Sequence, residues 1–123
     1  MKTFKNESAF TRWFCDLIES HNGVTIAFVG STRQGSSLPD RYICHKDFRG
    51  WIEFKKDKGK LSVGQRLLLT GLKARGDTCG VVRYLSWENW VIFETIDGTE
   101  LATIYTPDFT AELALFNLRK FIQ

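Results

Sequence analysis

Apolar positions along this chain switch between two periods, and the switches mark its elements. Phe10, Trp13, Phe14, Leu17 and Ile18 fall at i, i+3, i+4, i+7 and i+8, which predicts an amphipathic helix over about residues 7–20. Asn6 is suited to cap its start, and Asn22-Gly23 to turn the chain out of it. A short β-branched run at 24–29 predicts a strand, and the following GSTRQGSSLP at 30–39 has the composition of a loop. Arg41–His45 and 51–56 read as two further strands joined by a turn at 47–50, with DKGK at 57–60 as the next turn. Ser62 is the expected N-cap of a second helix, with Val63, Leu67, Leu68 and Leu72 as its apolar stripe and Gly76 as its stop. Cys79–Leu85 reads as a buried strand. Residues 90–96 and 100–106 flank Asp97-Gly98, a hairpin signal of type I′ chemistry, while a short helix from Ser86 competes for the start of that segment. Pro107 suits the first turn of a closing helix over 111–121. The order α-β-β-β-α-β, then hairpin and helix, predicts an α/β fold with a mixed β-sheet flanked by helices.

A length of 123 residues fits one domain, and 43% hydrophobic with 25% charged residues is a globular composition. No apolar run approaches the ~20 residues of a membrane span. The opening MKTFKNESAF lacks the unbroken apolar segment of a signal peptide, so the expected location is the cytoplasm. Cys15, Cys44 and Cys79 are odd in number and lack CxxC spacing, which predicts reduced thiols rather than disulfides or a zinc site. His21 and His45 have no ligand partners in pattern, Ser36 and Ser37 lack a nucleophile elbow, and the glycine-containing loop lacks a phosphate-binding lysine. Charge changes the picture more. Residues 41–83 hold 11 Lys/Arg against 4 Asp/Glu, a net of +7, within a chain whose net charge is +3. A basic middle of this kind is the electrostatic footprint expected for a polyanion such as DNA.

The chemistry concentrates in the same region. On a strand, residues i and i+2 share a face, so Glu53 and Lys55 project to one side while Ile52 and Phe54 point into apolar packing. Asp40, entering the neighbouring strand, brings a second carboxylate. Two carboxylates can hold Mg²⁺ or Mn²⁺, an adjacent ammonium can steady negative charge at a phosphate, and the bound ion activates water. Register decides whether they meet. A turn centred between Phe48 and Arg49 would set Cys44 opposite Glu53 and leave Asp40 four residues away, roughly 13 Å along the strand. A turn centred at Lys46-Asp47 would put Asp40 directly opposite Glu53. Arg41, Arg49, Lys56, Lys58, Lys60 and Arg66 are the candidate phosphate contacts around this site, and Trp51 is either a core residue or a surface on which a base could stack.

Pro39-Asp40 followed by Glu53-Phe54-Lys55 resembles the signature of the PD-(D/E)XK nucleases. Gly59-Lys60-Leu61-Ser62-Val63-Gly64-Gln65, then Leu72-Lys73-Ala74-Arg75-Gly76 and Val81-Val82-Arg83, is similar to the VRR-NUC branch of that superfamily. The likeness spans about residues 7–85. Residues 86–123 match no motif of the family, and GSSLPD, with Gly35, stands where a shorter G-x-P-D is commoner. The resemblance implies a single nuclease-like domain over 1–123 with a restriction-endonuclease-like core. It also implies a Mg²⁺- or Mn²⁺-dependent endonuclease cleaving DNA, structure-selective on branched forms such as four-way junctions and acting as a homodimer. Asp40, Glu53, Lys55 and Gln65 would be its catalytic residues, with Glu7 an auxiliary metal ligand beside Asp40 and Glu53. The alternative is a catalytically silent nucleic-acid-binding protein or host-defence antagonist that keeps the fold.

Overall fold

Among the described residues six strands lie side by side in chain order, and only one neighbouring pair runs parallel. The elements of this computed structural model, which describes residues 2–28 and 39–122, are α1 (Glu7–Glu19), β1 (Val24–Ala27), β2 (Arg41–His45), β3 (Phe48–Lys56), α2 (Val63–Ala74), β4 (Cys79–Leu85), β5 (Trp90–Glu94), β6 (Glu100–Tyr105) and α3 (Ala111–Leu118). Thr106–Asp108 and Arg119–Phe121 form single 3₁₀ turns on either side of α3. Antiparallel neighbours need only tight turns. The parallel β3/β4 pair needs a crossover, and α2 supplies it. Most of the loop expected at 30–39, with Gly35 and the last residue of the expected first strand, lies outside the described residues.

Strand alternation divides the sheet into two unlike faces. Ile52 and Phe54 of β3, Val82 and Tyr84 of β4, and Val91 and Phe93 of β5 are all buried and join one core with Phe10, Phe14 and Ile18 of α1 and Ala114 and Leu118 of α3. α1 follows the expected periodicity, capped by Asn6, whose Oδ1 accepts the Ala9 N–H at 2.8 Å. The opposite face carries a small second cluster in which Leu69 of α2 packs with Cys79 and Ile96, bordered by Trp51, Leu61 and Leu72. Gly80 is confined to glycine because a Cβ there would collide with the Phe121 ring.

Several expectations are corrected. β3 begins at Phe48, so the turn is the two-residue Lys46-Asp47 between the paired His45 and Phe48. The expected stripe of α2 is rotated: Leu69 is its only fully buried residue, while Val63 and Leu67 are 77% and 68% exposed. Ser62 does cap α2, and Gly76, at φ 101°, closes it with the Gly76 and Asp77 N–H groups bonded to the Lys73 and Leu72 carbonyls. The β5–β6 connection is a loop over 95–99 rather than a two-residue turn, with a register shift at Phe93/Glu94. Residues 86–89 form a turn, not a helix, and Pro107 lies within a 3₁₀ turn that precedes α3 while Thr110 caps α3. The described cysteines are all free, and His45 is buried with Nε2 bonded to the His21 carbonyl at 3.0 Å.

Candidate active site

The Lys46-Asp47 turn selects the second of the two registers. Arg41 pairs with Ile52, so Asp40, one residue before β2, falls opposite Glu53. The Asp40 N–H donates to Glu53 Oε1 at 3.1 Å, and Asp40 Oδ2 accepts the Phe54 N–H at 2.8 Å. The two carboxyls are close enough to share a hydrogen bond. Glu53 is 1% exposed, the one carboxylate among the fully buried large side chains.

Glu53 Oε2 is met from two sides. Lys55 Nζ, from the same face of β3, stands 3.4 Å away, and Gln65 Nε2, from the first turn of α2, donates at 2.9 Å. Gln65 is positioned by its own helix: its backbone N–H donates to Ser62 Oγ at 3.0 Å and its Oε1 accepts the Ser62 N–H at 2.9 Å, a complete capping box. Lys55 Nζ also donates to Gln65 Oε1 at 3.3 Å. The residue expected at the site thus doubles as the second member of the capping box, which holds its amide in one orientation.

The electrostatics follow from burial. Loss of water raises the Glu53 carboxyl from its ordinary 4.5 to about 8; the neighbouring Asp40 charge adds to the rise, and Lys55 opposes it. Asp40 is also raised by burial, against the Phe54 N–H bond and the charges of Lys55 and Arg41. Burial and the repulsion between the two carboxyls therefore both favour the protonated form of the pair. Two such carboxylates are the oxygen donors that would suit a hard divalent cation. Among the described residues no three His, Cys, Asp or Glu side chains gather closely enough to hold an ion. The remaining ligands would come from water or substrate, as Mg²⁺ commonly has them.

Glu7 stands apart from the pair but shares its surroundings. It lines a cavity of about 320 Å³ with Asp40, Thr11, Arg12 and Arg41, and its carboxyl is raised by burial and then by the Asp40 charge. Lys58 and Lys60 are exposed just beyond β3. Lys56 is paired with Asp57 at 2.8 Å, and Arg66 donates to the Ile96 carbonyl at 3.3 Å. Arg49 is set apart: it pairs with Cys44 near the hairpin turn, roughly 13 Å along β3 from Glu53. Trp51 is taken up by packing on Phe28 and Tyr42, and its Nε1 donates to Asp77 at 3.1 Å.

Arg83 has a structural part that its sequence context did not single out. It lies beside Lys55 in the parallel register, is forked onto Glu94 at 3.0 and 3.1 Å, and donates from Nη1 to the Asp57 and Gly59 carbonyls at 2.8 and 2.5 Å. Its same-face position with Val81 on β4 was the available signal.

No family model matches the chain, the VRR-NUC branch included, and no curated protein matches it in sequence. Among solved structures it is similar to Archaeoglobus fulgidus Hjc, described as a Holliday junction resolvase from an archaeal hyperthermophile, with a TM-score of 0.59 and 19% identity over 87% of this chain and 98% of that one. At that identity the likeness establishes the fold: a mixed sheet flanked by helices, as the order of elements predicted, of the restriction-endonuclease-like kind that the resemblance implied. No helix among the described residues is long and apolar enough to cross a membrane.

Proposed function

We propose that this protein is a divalent-metal-dependent DNA endonuclease of the PD-(D/E)XK type, close to the VRR-NUC branch, that cuts branched DNA as a homodimer. One observation carries the reading: Asp40 at the entry to β2, Glu53 and Lys55 of β3, and Gln65 of a capped helix meet at one buried carboxylate. The resolvase function of the similar Hjc supports the substrate class.

Asp40 and Glu53 would hold Mg²⁺ or Mn²⁺, with Glu7 reaching the same cavity. A bound ion supplies an acidified water and offsets charge at the phosphorus. Lys55 presents its ammonium beside Glu53, where it orients the attacking water and neutralises charge growing on the phosphoryl oxygens. Gln65 keeps Glu53 and Lys55 in place through a bond to each. Arg41, Lys58, Lys60 and Arg66 hold phosphates on either side; Lys56 does so once freed from Asp57, and Arg49 only on a substrate that runs along β3.

Cutting two strands symmetrically calls for two copies related by a two-fold axis. The outer strip of α2 suits that contact. Val63, Leu67, Thr70 and Ala74 are all exposed and uncharged, and an antiparallel pairing about the helix centre sets Val63 against Ala74 and Leu67 against Thr70, large against small. The direct test incubates the protein with duplex, flap and four-way-junction DNA, with Mg²⁺, Mn²⁺ or EDTA. Ion-dependent cleavage that favours branched forms is expected. Binding without cleavage under every condition would instead support the silent reading.

A further inference from the structure

Three of the four tryptophans belong to the fold. Trp13 lies against Phe4 and Phe109, Trp51 against Phe28 and Tyr42, and Trp90, 36% exposed, opens β5 opposite Tyr105 of β6. Trp87 is different: it is 61% exposed on the turn between β4 and β5.

That turn is rigidly built. The Ser86 N–H and hydroxyl both donate to Asp57 Oδ1 at 2.7 Å. On its other shoulder, Asn89 takes a left-handed φ of 57° and its buried Oδ1 accepts the Tyr84 hydroxyl at 2.7 Å. Asp57, also left-handed at φ 53°, donates its N–H to the Tyr84 carbonyl at 2.8 Å and is held by Arg83. These bonds fasten the Trp87 turn to the end of the strand that carries Glu53 and Lys55. Three residues of extended strand, about 10 Å, separate Glu53 from Lys56 at the end of β3, next to Asp57, a distance of a few nucleotides.

Trp87 has Ser86 and Glu88 as its chain neighbours, and its turn abuts the one carrying Asp57 and Lys58. Lys56 Nζ is bonded at 2.8 Å to the same Asp57 carboxylate that holds Ser86, so the turn carrying the exposed indole is tied to the basic end of β3, where a nucleobase can stack while a phosphate is neutralised nearby. The preformed turn removes the ordering cost of such a contact. We infer that Trp87 is a stacking platform for an unpaired nucleobase, a few nucleotides from the phosphate at Glu53. The inference rests on the DNA reading of the site and adds the part of the substrate that is recognised.

The test measures binding in EDTA, so that cleavage plays no part. The full chain, Trp87→Ala and Trp87→Phe are each titrated with a single-stranded oligonucleotide, a forked duplex and a blunt duplex. Trp87→Ala is expected to bind the single strand and the fork about 5- to 100-fold more weakly, from the usual loss on removing one base–aromatic stack. It should bind the blunt duplex within about 2-fold of the wild type, and Trp87→Phe should recover most of the loss. Unchanged binding of Trp87→Ala to unpaired strands, or an equal loss on the blunt duplex, overturns the platform. Salt-dependent binding by the wild type in that same experiment would leave the DNA reading standing while the platform alone falls. A wild type that binds none of the three overturns both.

Discussion

On the α1 and α3 side of the sheet, Ile52, Phe54, Val82, Tyr84 and Phe93 are sealed beneath Phe10 and Phe14 of α1, Ala114 and Leu118 of α3, and Phe109 and Phe121 on either side of α3. On the α2 side the intervening positions hold Glu53, Lys55 and Arg83, and Leu69 is the only residue of the covering helix that is fully buried. The same strands therefore serve two ends through alternation alone. One face provides the apolar burial that folds the chain. The other gives up burial to hold charged groups in a poorly hydrated place, where their interactions with one another and with a substrate are strong. Stability and chemistry sit one residue apart.

The largest effect should come from the sealed face. Phe14, fully buried between Phe54 and Phe109, should cost about 3–5 kcal/mol when truncated to Ala, whereas Leu69→Ala on the thin face should cost about 2 kcal/mol. Urea midpoints at unchanged slope measure both, and a reversed order would break the comparison.

The next effect separates the faces by pH. Glu53 and Asp40 both have folded pKa values raised above their ordinary ones, so the native state binds more protons than the unfolded chain from about pH 4.5 up to about 8. Ion-free stability should therefore be greatest at the acid end of that window and fall as pH rises through it, by an amount on the order of a few kcal/mol. Glu53→Gln cannot ionise, and it should flatten the decline in melting temperature between pH 5 and 9. A wild type whose ion-free stability rises over that range would contradict the assignment.

Gln65 lies between the two roles. Its loss removes one leg of the capping box and the amide on Glu53, so Gln65→Ala should cost about 1–2 kcal/mol and slow cleavage further than that destabilisation explains. The smallest effect belongs to the rim. Neutralising Lys58 and Lys60 together should weaken binding to every DNA form alike and reduce the salt slope by about 0.9 for each phosphate no longer neutralised. An unchanged slope would make the basic stretch an ordinary solvated surface.

How much of this could be read in advance depends on what each element answers to. β2 and β4 matched their expected bounds because alternation and turn residues mark them locally. The stripe of α2 was misplaced because Leu67, Leu68, Leu69 and Leu72 offer more apolar positions than one face can bury. Only tertiary packing against Cys79 and Ile96 chooses Leu69. The convergence of Asp40 with Glu53 hung on which two residues made the turn, a choice between registers that composition leaves open. The second duty of Gln65 lay in the Ser62-x-x-Gln65 spacing, a capping-box pattern. Arg83 and the Trp87 turn were harder. Their partners, Glu94 and Asp57, are brought to them by strand pairing over 11 and 29 residues.

The central claim is that the buried carboxylates and the lysine beside them are catalytic. It is tested most directly by comparing wild type, Glu53→Ala and Lys55→Ala on a four-way junction with Mg²⁺, with binding to the same DNA measured in parallel. Cleavage by the wild type that is abolished in both variants, with affinity largely retained, is the predicted result, because each change removes transition-state stabilisation and leaves the phosphate contacts in place. Cutting at the wild-type rate by either variant would contradict it.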